Sequence, residues 1–299
     1  MGLKTSPMMR QRVGHIVGPE AGPIMGRRTG HTRKRSGRQM EQVLMGMVVC
    51  LSFLTGSCIF SFLNVVVYRV PKKISFLTGR SMCPACGHPL TFFDMIPVAG
   101  WFLLRGKCRY CGAGVSFRYP LVEALGGGAA LLCLRDGFTI QAALEFGFFC
   151  ILTVTALVDL DTMEIPNGFV MGAALLGLLA IILDGGSATL FERLVGMVCV
   201  SLPMLALAMI IPGAFGGGDI KLMAACGLFL GWKVTLLSFF FAVLGGGAYG
   251  IWLLLTKKKK GGDHFAFGPF LCVGMLVGRV WGMSILAWYL GLFGLQPLV

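Results

Sequence analysis

The feature that most constrains this chain is a series of continuous apolar runs, most near 20 residues long, separated by short polar turns. Wound as a helix, such a run matches the ~30 Å hydrocarbon core of a bilayer. Lipid leaves a chain only helices or closed barrels, and continuous runs lack the alternation a barrel strand needs. The expected fold is an all-α polytopic membrane protein with about eight transmembrane helices, at about 43–67, 119–134, 139–158, 166–183 (with Pro166 in its first turn), 190–212, 220–231, 234–255 and 266–297. Only 13% of the residues are charged, against about 25% in soluble domains. The lipid bilayer is therefore the first partner. The net charge of +13 is what positive-inside topology requires, and no nucleic-acid partner is needed to explain it.

Two aspartates stand out against this background. Asp159 closes the run Thr155-Ala156-Leu157-Val158, and Asp219 closes the string Gly216-Gly217-Gly218. A carboxylate placed in hydrocarbon costs roughly 2.5–3.5 kcal/mol even on insertion scales, so such a group is a functional hypothesis by default. Both fall at ends of predicted helices on one membrane face. Two carboxylates close enough to share a proton are the machinery of aspartyl proteolysis, one acting as base and the other as acid on a bound water. The glycines before Asp219 let a peptide backbone approach closely. Solvated helix-end residues are the plain alternative for both. Asp161, two positions from Asp159, is expected to face elsewhere and, with Glu164, to cap the next helix. No Ser/His/Asp set and no phosphate-binding glycine fingerprint competes. A transporter with a carboxylate proton relay is the rival class, but it should show repeat symmetry and mid-membrane acids. Gly126-Gly127-Gly128 and Gly245-Gly246-Gly247 are expected at helix contacts.

The longest loop between predicted helices holds Cys83-x2-Cys86 and Cys108-x2-Cys111, each pair followed by a glycine, Gly87 and Gly112. A two-residue gap aims two thiolates at one ion, and glycine permits the left-handed turn this needs. A structural Zn2+ with four sulfurs is expected, and such a site contributes roughly 10–16 kcal/mol to folding a small loop. Two disulfides are the alternative, and His88 is a spare ligand. The other seven cysteines read as small buried hydrophobes.

Charge fixes the expected orientation. Loops after the first, third, fifth and seventh helices carry Arg69 to Arg118, Lys221 and Lys257 to Lys260, while the opposite turns carry Arg135, Arg193 and Lys233. The cysteine loop and both aspartates are thus expected in the cytoplasm. The basic stretch 1–41, expected to be a disordered tail, disagrees, since it would then lie outside; either the loop behind the first helix forces its orientation, or the true start is Met40 or Met45, the reading we favour. The expected organisation is tail 1–41, a half at 42–135 containing the cysteine loop, and a half at 136–299 carrying the aspartates.

Several motifs in order make the chain resemble the type IV prepilin peptidase family. They are Ser61-Phe62-Leu63-Asn64 through Arg69-Val70-Pro71, Cys83-Pro84-Ala85-Cys86-Gly87, Asp94-Met95-Ile96-Pro97, Arg105-Gly106-Lys107-Cys108-Arg109-Tyr110-Cys111 and Arg118-Tyr119-Pro120-Leu121-Val122-Glu123. Asp159-Leu160-Asp161 through Ile165-Pro166-Asn167, Gly216-x-Gly218-Asp219 and Phe267-Gly268-Pro269-Phe270 complete the set. The resemblance covers about 50–290. It implies a multi-pass protein of the bacterial cytoplasmic membrane that cuts the leader of prepilin-like precursors after a glycine, at the cytoplasmic face. It also implies N-methylation of the new terminus with S-adenosylmethionine, associated with the N-terminal half. The family's catalytic aspartates fall on Asp159 and Asp219. Asn64, Arg69 and Glu123 are candidate polar contacts for methylation. The sequence departs at Phe60, where the family has glycine, at Asn167, often aspartate, and in its basic tail. Phe60 puts tight packing of the first helix in question.

Overall fold

The computed structural model describes residues 28–75, 79–183, 188–256 and 265–294. The Asp184-Gly185-Gly186-Ser187 break, the Lys257 to Lys260 run and the first part of the basic tail lie outside them. Contacts divide the chain into two units, Met1–Val48 and Val49–Val299. In the first, residues 28–48 are helical, belonging to α1 (Arg28–Arg69), which begins well before the expected residue 43.

The second unit continues with α2 (Ala99–Leu103), α3 (Arg118–Cys133), α4 (Ile140–Thr162), α5 (Asn167–Leu183), α6 (Leu190–Cys199), α7 (Ser201–Ile210), α8 (Gly217–Leu230), α9 (Trp232–Leu255), α10 (Gly268–Val277) and α11 (Met283–Leu292). Among the described residues the only β structure is two isolated bridges. Five segments are long and apolar enough to cross a bilayer: Gln39–Arg69, Ile140–Thr162, Leu190–Ile210, Trp232–Leu255 and Gly268–Leu292. The other three expected crossings, α3, α5 and α8, have 16, 17 and 14 residues. At 1.5 Å per residue they reach only about 21–26 Å, short of the ~30 Å core. The last span carries a π-turn at Gly278–Gly282, and its helix ends at Leu292. Gly278 there lies against the Ser238 hydroxyl of α9.

The short α8 is the centre of the packing. Leu222, Met223, Ala225, Cys226, Gly227, Leu228, Phe229 and Leu230 are all buried, so the helix is enclosed by others and not faced to lipid. Between helices in lipid, close van der Waals packing replaces the hydrophobic driving force. Accordingly Gly196 of α6 and Gly227 of α8 bring two backbones into direct contact, and Phe148 of α4 stacks on Phe229 at 4.5 Å. The buried Arg193 of α6 donates to the carbonyls of Leu228 and Phe229, closing the last turn of α8. Around this core the long helices leave large apolar side chains exposed, among them Leu54, Leu178, Phe240 and Val273, the surface expected to meet lipid.

Gly126 and Gly127 of α3 receive Phe60, Phe53 and Ser57 of α1, while Gly128 faces open space. Phe60 is 1% exposed. Its ring fills the hollow at Gly126, so α1 and α3 stay close despite the lost glycine. Gly246 likewise receives Phe267, whereas Gly247 meets nothing.

Candidate active site and cysteine cluster

Asp159 lies in the last turn of α4 and Asp219 in the first turn of α8; they are 5% and 8% exposed. They are within electrostatic reach of each other, and both act on the buried Cys272 thiol of α10, so the two carboxylates share one neighbourhood. Each rests on the start of a helix. The Gly216 amide at the N-cap of α8 faces the Asp219 carboxylate. This is the reach-back of a capping box, made here from the third helical position to a glycine. The Gly268 amide at the start of α10 faces Asp159. Partial positive charge at a helix N-terminus stabilises a carboxylate placed there. Asp159 Oδ2 itself has no hydrogen-bond partner among the described residues.

The glycine string divides its work. A Cβ on Gly216 would stand 3.2 Å from Asp219 Oδ2, and one on Gly218 would stand 3.0 Å from Ile165 Cβ, in the turn after α4. One on Gly217 would meet nothing. Gly218 therefore lets the turn after α4 lie on the start of α8, which brings the two aspartates together.

Asp161 does not cap α5, which starts at Asn167. The helix α4 runs on through Thr162 and closes on Met163 at φ 55°, carrying Asp161 away from Asp219. There it forms a two-pronged ion pair with Arg118, at 2.7 and 2.9 Å, and Arg118 also donates to the Leu157 carbonyl at 3.3 Å. This links the end of the cysteine loop to the last turn of α4. Asn167 accepts from Lys221 at 3.5 Å.

In the loop, the sulfurs of Cys83, Cys86, Cys108 and Cys111 all lie within 4.8 Å of one another, and all eleven cysteines are free thiols. The two halves repeat one another. Gly87 and Gly112 sit at φ 69° and 72°, and their amides donate to the carbonyls of Cys83 and Cys108 at 2.8 and 2.9 Å. The bridges Met82 to Pro89 and Lys107 to Gly114 close each turn. His88 does not supplement the cluster; its ring lies on Tyr110, 3.7 Å between centroids, joining the two turns. Asp94 adds a second tie through Arg109, at 2.8 Å, and Tyr110. A tetrahedral zinc with bonds of ~2.3 Å needs sulfurs about 3.8 Å apart. Cys83 and Cys111 stand at 3.9 Å, so the set fits Zn2+ with a small contraction. The amides of Cys86 and Ala85 lower the Cys83 thiol to about 7. The Ala113 amide pulls Cys111 down, but burial and three neighbouring thiols outweigh it and push it up to about 11. A cation among four sulfurs removes that mutual repulsion.

Of the polar residues in the N-terminal half, Arg69 donates to the carbonyls of Ser75 and Arg80 and so organises the loop. Glu123 accepts from Ser61 Oγ at 2.6 Å and from the Val98 amide at 2.7 Å. Val98 is held at φ 61°, an uncommon conformation for a β-branched residue. Asn64 is buried and its Nδ2 lacks a hydrogen-bond partner among the described residues.

Residues 54–136 match the profile of the bacterial peptidase A24 N-terminal domain, and residues 146–251 match that of the type IV leader peptidase family. A prepilin leader peptidase/N-methyltransferase of Aeromonas salmonicida is 32% identical over 80% of this chain and 93% of its own. The protein of the same name from Bacillus subtilis is 31% identical, over 81% and 98%. That of Myxococcus xanthus is 35% identical, over 70% and 64%. No solved structure matches the chain.

Proposed function

The chain belongs to the type IV prepilin peptidase family, and from that premise we propose that it cuts the leader from prepilin-like precursors with Asp159 and Asp219 as the catalytic pair, then N-methylates the new terminus. The observation that carries the reading is the pair of buried carboxylates in one neighbourhood, each on a helix start. Two carboxylates so placed do not both hold full charge, so one keeps a proton. The charged one takes a proton from a water as its oxygen attacks the scissile carbonyl, and the protonated one donates to the carbonyl oxygen. The tetrahedral intermediate collapses as the C–N bond breaks: the carboxyl that took the water's proton gives it to the leaving amine, and a hydroxyl of the intermediate returns its proton to the other carboxylate. The glycines around Asp219 leave room for the substrate backbone.

Cys83, Cys86, Cys108 and Cys111 hold a structural Zn2+, which fixes the two turns of the loop. S-adenosylmethionine supplies the methyl group. Glu123, a carboxylate holding only neutral donors in the contacts described above, fits a cationic methyl donor, and the Asn64 Nδ2, a hydrogen-bond donor, fits an acceptor oxygen on that ligand. We place the cysteine loop and aspartates on the cytoplasmic side of the bacterial inner membrane, with α3, α5 and α8 as short crossings among eight. The halves 42–135 and 136–299 are then the methylation and proteolysis halves.

The test is cleavage of a prepilin-like precursor in detergent. Asp159→Asn and Asp219→Asn each abolish turnover, while Asp161→Asn retains a substantial fraction. Wild-type turnover by either of the first two removes the aspartyl pair as assigned.

A further inference from the structure

The Phe267-Gly268 step lies far from both aspartates in sequence, yet it meets one of them in the fold. A Cβ built on Gly268 would stand 2.6 Å from Asp159 Oδ2 and 3.0 Å from Cγ. No side chain fits there unless the carboxylate moves, and the carboxylate is buried. The cradle of Asp219 has the same composition, a phenylalanine followed by a glycine: Phe215-Gly216. The two rings meet, with Phe215 and Phe267 centroids 5.7 Å apart. Both rest on α9, Phe215 against Phe239 at 6.3 Å and Phe267 over Gly246. The start of α8 and the start of α10 are thus braced to each other through two rings and a common helix.

We propose that Gly268 is a positioning residue for peptide cleavage, its bare α-carbon seating the Asp159 carboxylate, and that the Phe215–Phe267 ring pair holds this seat in register with the Gly216 seat of Asp219. The inference rests on Asp159 and Asp219 being the catalytic pair. Gly268 touches no substrate. It acts by setting where one carboxylate stands relative to the other, and a displacement of about 1 Å at such a site costs on the order of a hundredfold in rate. Gly268 thus does for Asp159 what Gly216 does for Asp219, whereas Gly218 makes room for Ile165.

The experiment measures kcat and KM for a synthetic prepilin-like precursor in detergent, per folded molecule, with the thermal midpoint of each variant recorded. Gly268→Ala is expected to lower kcat about a hundredfold with KM within a few-fold of wild type. A purely structural role would lower the thermal midpoint and leave kcat per folded molecule unchanged. Phe215→Leu and Phe267→Leu are each expected to lower kcat, and the double variant to fall no further than the worse single one, the signature of one coupled brace. This cycle decides the matter if Gly268→Ala does not fold. Wild-type kcat in Gly268→Ala, or strictly additive losses in the phenylalanine pair, overturns the proposal. Asp159→Asn and Asp219→Asn run beside them; turnover in either marks failure of the catalytic pair itself and not of its seat.

Discussion

At the scale of single residues, Asp161 shows how a group beside a catalytic candidate can serve it without joining it. Its two oxygens hold the Arg118 guanidinium, and both side chains remain partly solvent-accessible. Exposed pairs contribute at most about 1 kcal/mol, with two-pronged arginine geometry at the upper end. Arg118→Ala and Asp161→Asn should each slow cleavage by about fivefold, and the double variant should be no slower than either. Additive losses would mean that the two act separately. From sequence, the spacing showed that Asp161 faces away from Asp159, because adjacent helical positions diverge. Its partner was hidden, because Arg118 lies forty-three positions earlier and meets it only in the fold. Phe60 was misleading for a similar reason. The lost glycine on α1 is matched by Gly126 on α3, and the hollow is visible only when both helices are seen together.

At the scale of elements, the cysteine loop is two matching turns tied together by Asp94 and the His88–Tyr110 ring contact. The Thr91 hydroxyl, the Thr91 amide, Arg109 and Tyr110 hold the Asp94 carboxyl below the usual range, against the opposing effect of burial. A carboxyl depressed by folding stabilises at pH values above its unfolded pKa of about 3.9, and that contribution disappears as pH falls through the lower folded value. The contribution of Asp94 to loop order should therefore be constant across neutral pH and decline only under strong acid. Asp94→Asn should show the loosened state already at pH 7, read as faster hydrogen exchange at the amides of Cys108 and Gly112. Exchange equal to wild type would sink this role. The turn spacing was legible because a two-residue gap and a following glycine are local requirements. The start of α10 was not, since nothing local in Phe267-Gly268-Pro269 names Asp159 as its neighbour. The α6–α7 and α10–α11 spans were read as long helices, and the π-turn at Gly278 escaped because it answers to Ser238 on another helix.

At the scale of the molecule, eight apolar segments were legible from composition and periodicity, while their depth was not, since run length alone does not say which helix others enclose. The result is a site assembled from unequal parts. Asp219 stands on α8, about 21 Å long and enclosed by protein, whereas Asp159 stands on α4, one of the candidate spans. A spanning helix tilts when acyl chains and hydrophobic length disagree, and an enclosed short helix has little lipid contact through which to follow. A change in bilayer thickness should then shift Asp159 against Asp219. Cleavage in vesicles should pass through a maximum as acyl-chain length is varied, at fixed protein and headgroup, and a flat profile would contradict this. In such a design the membrane is more than a solvent: its thickness becomes a mechanical setting on the chemistry.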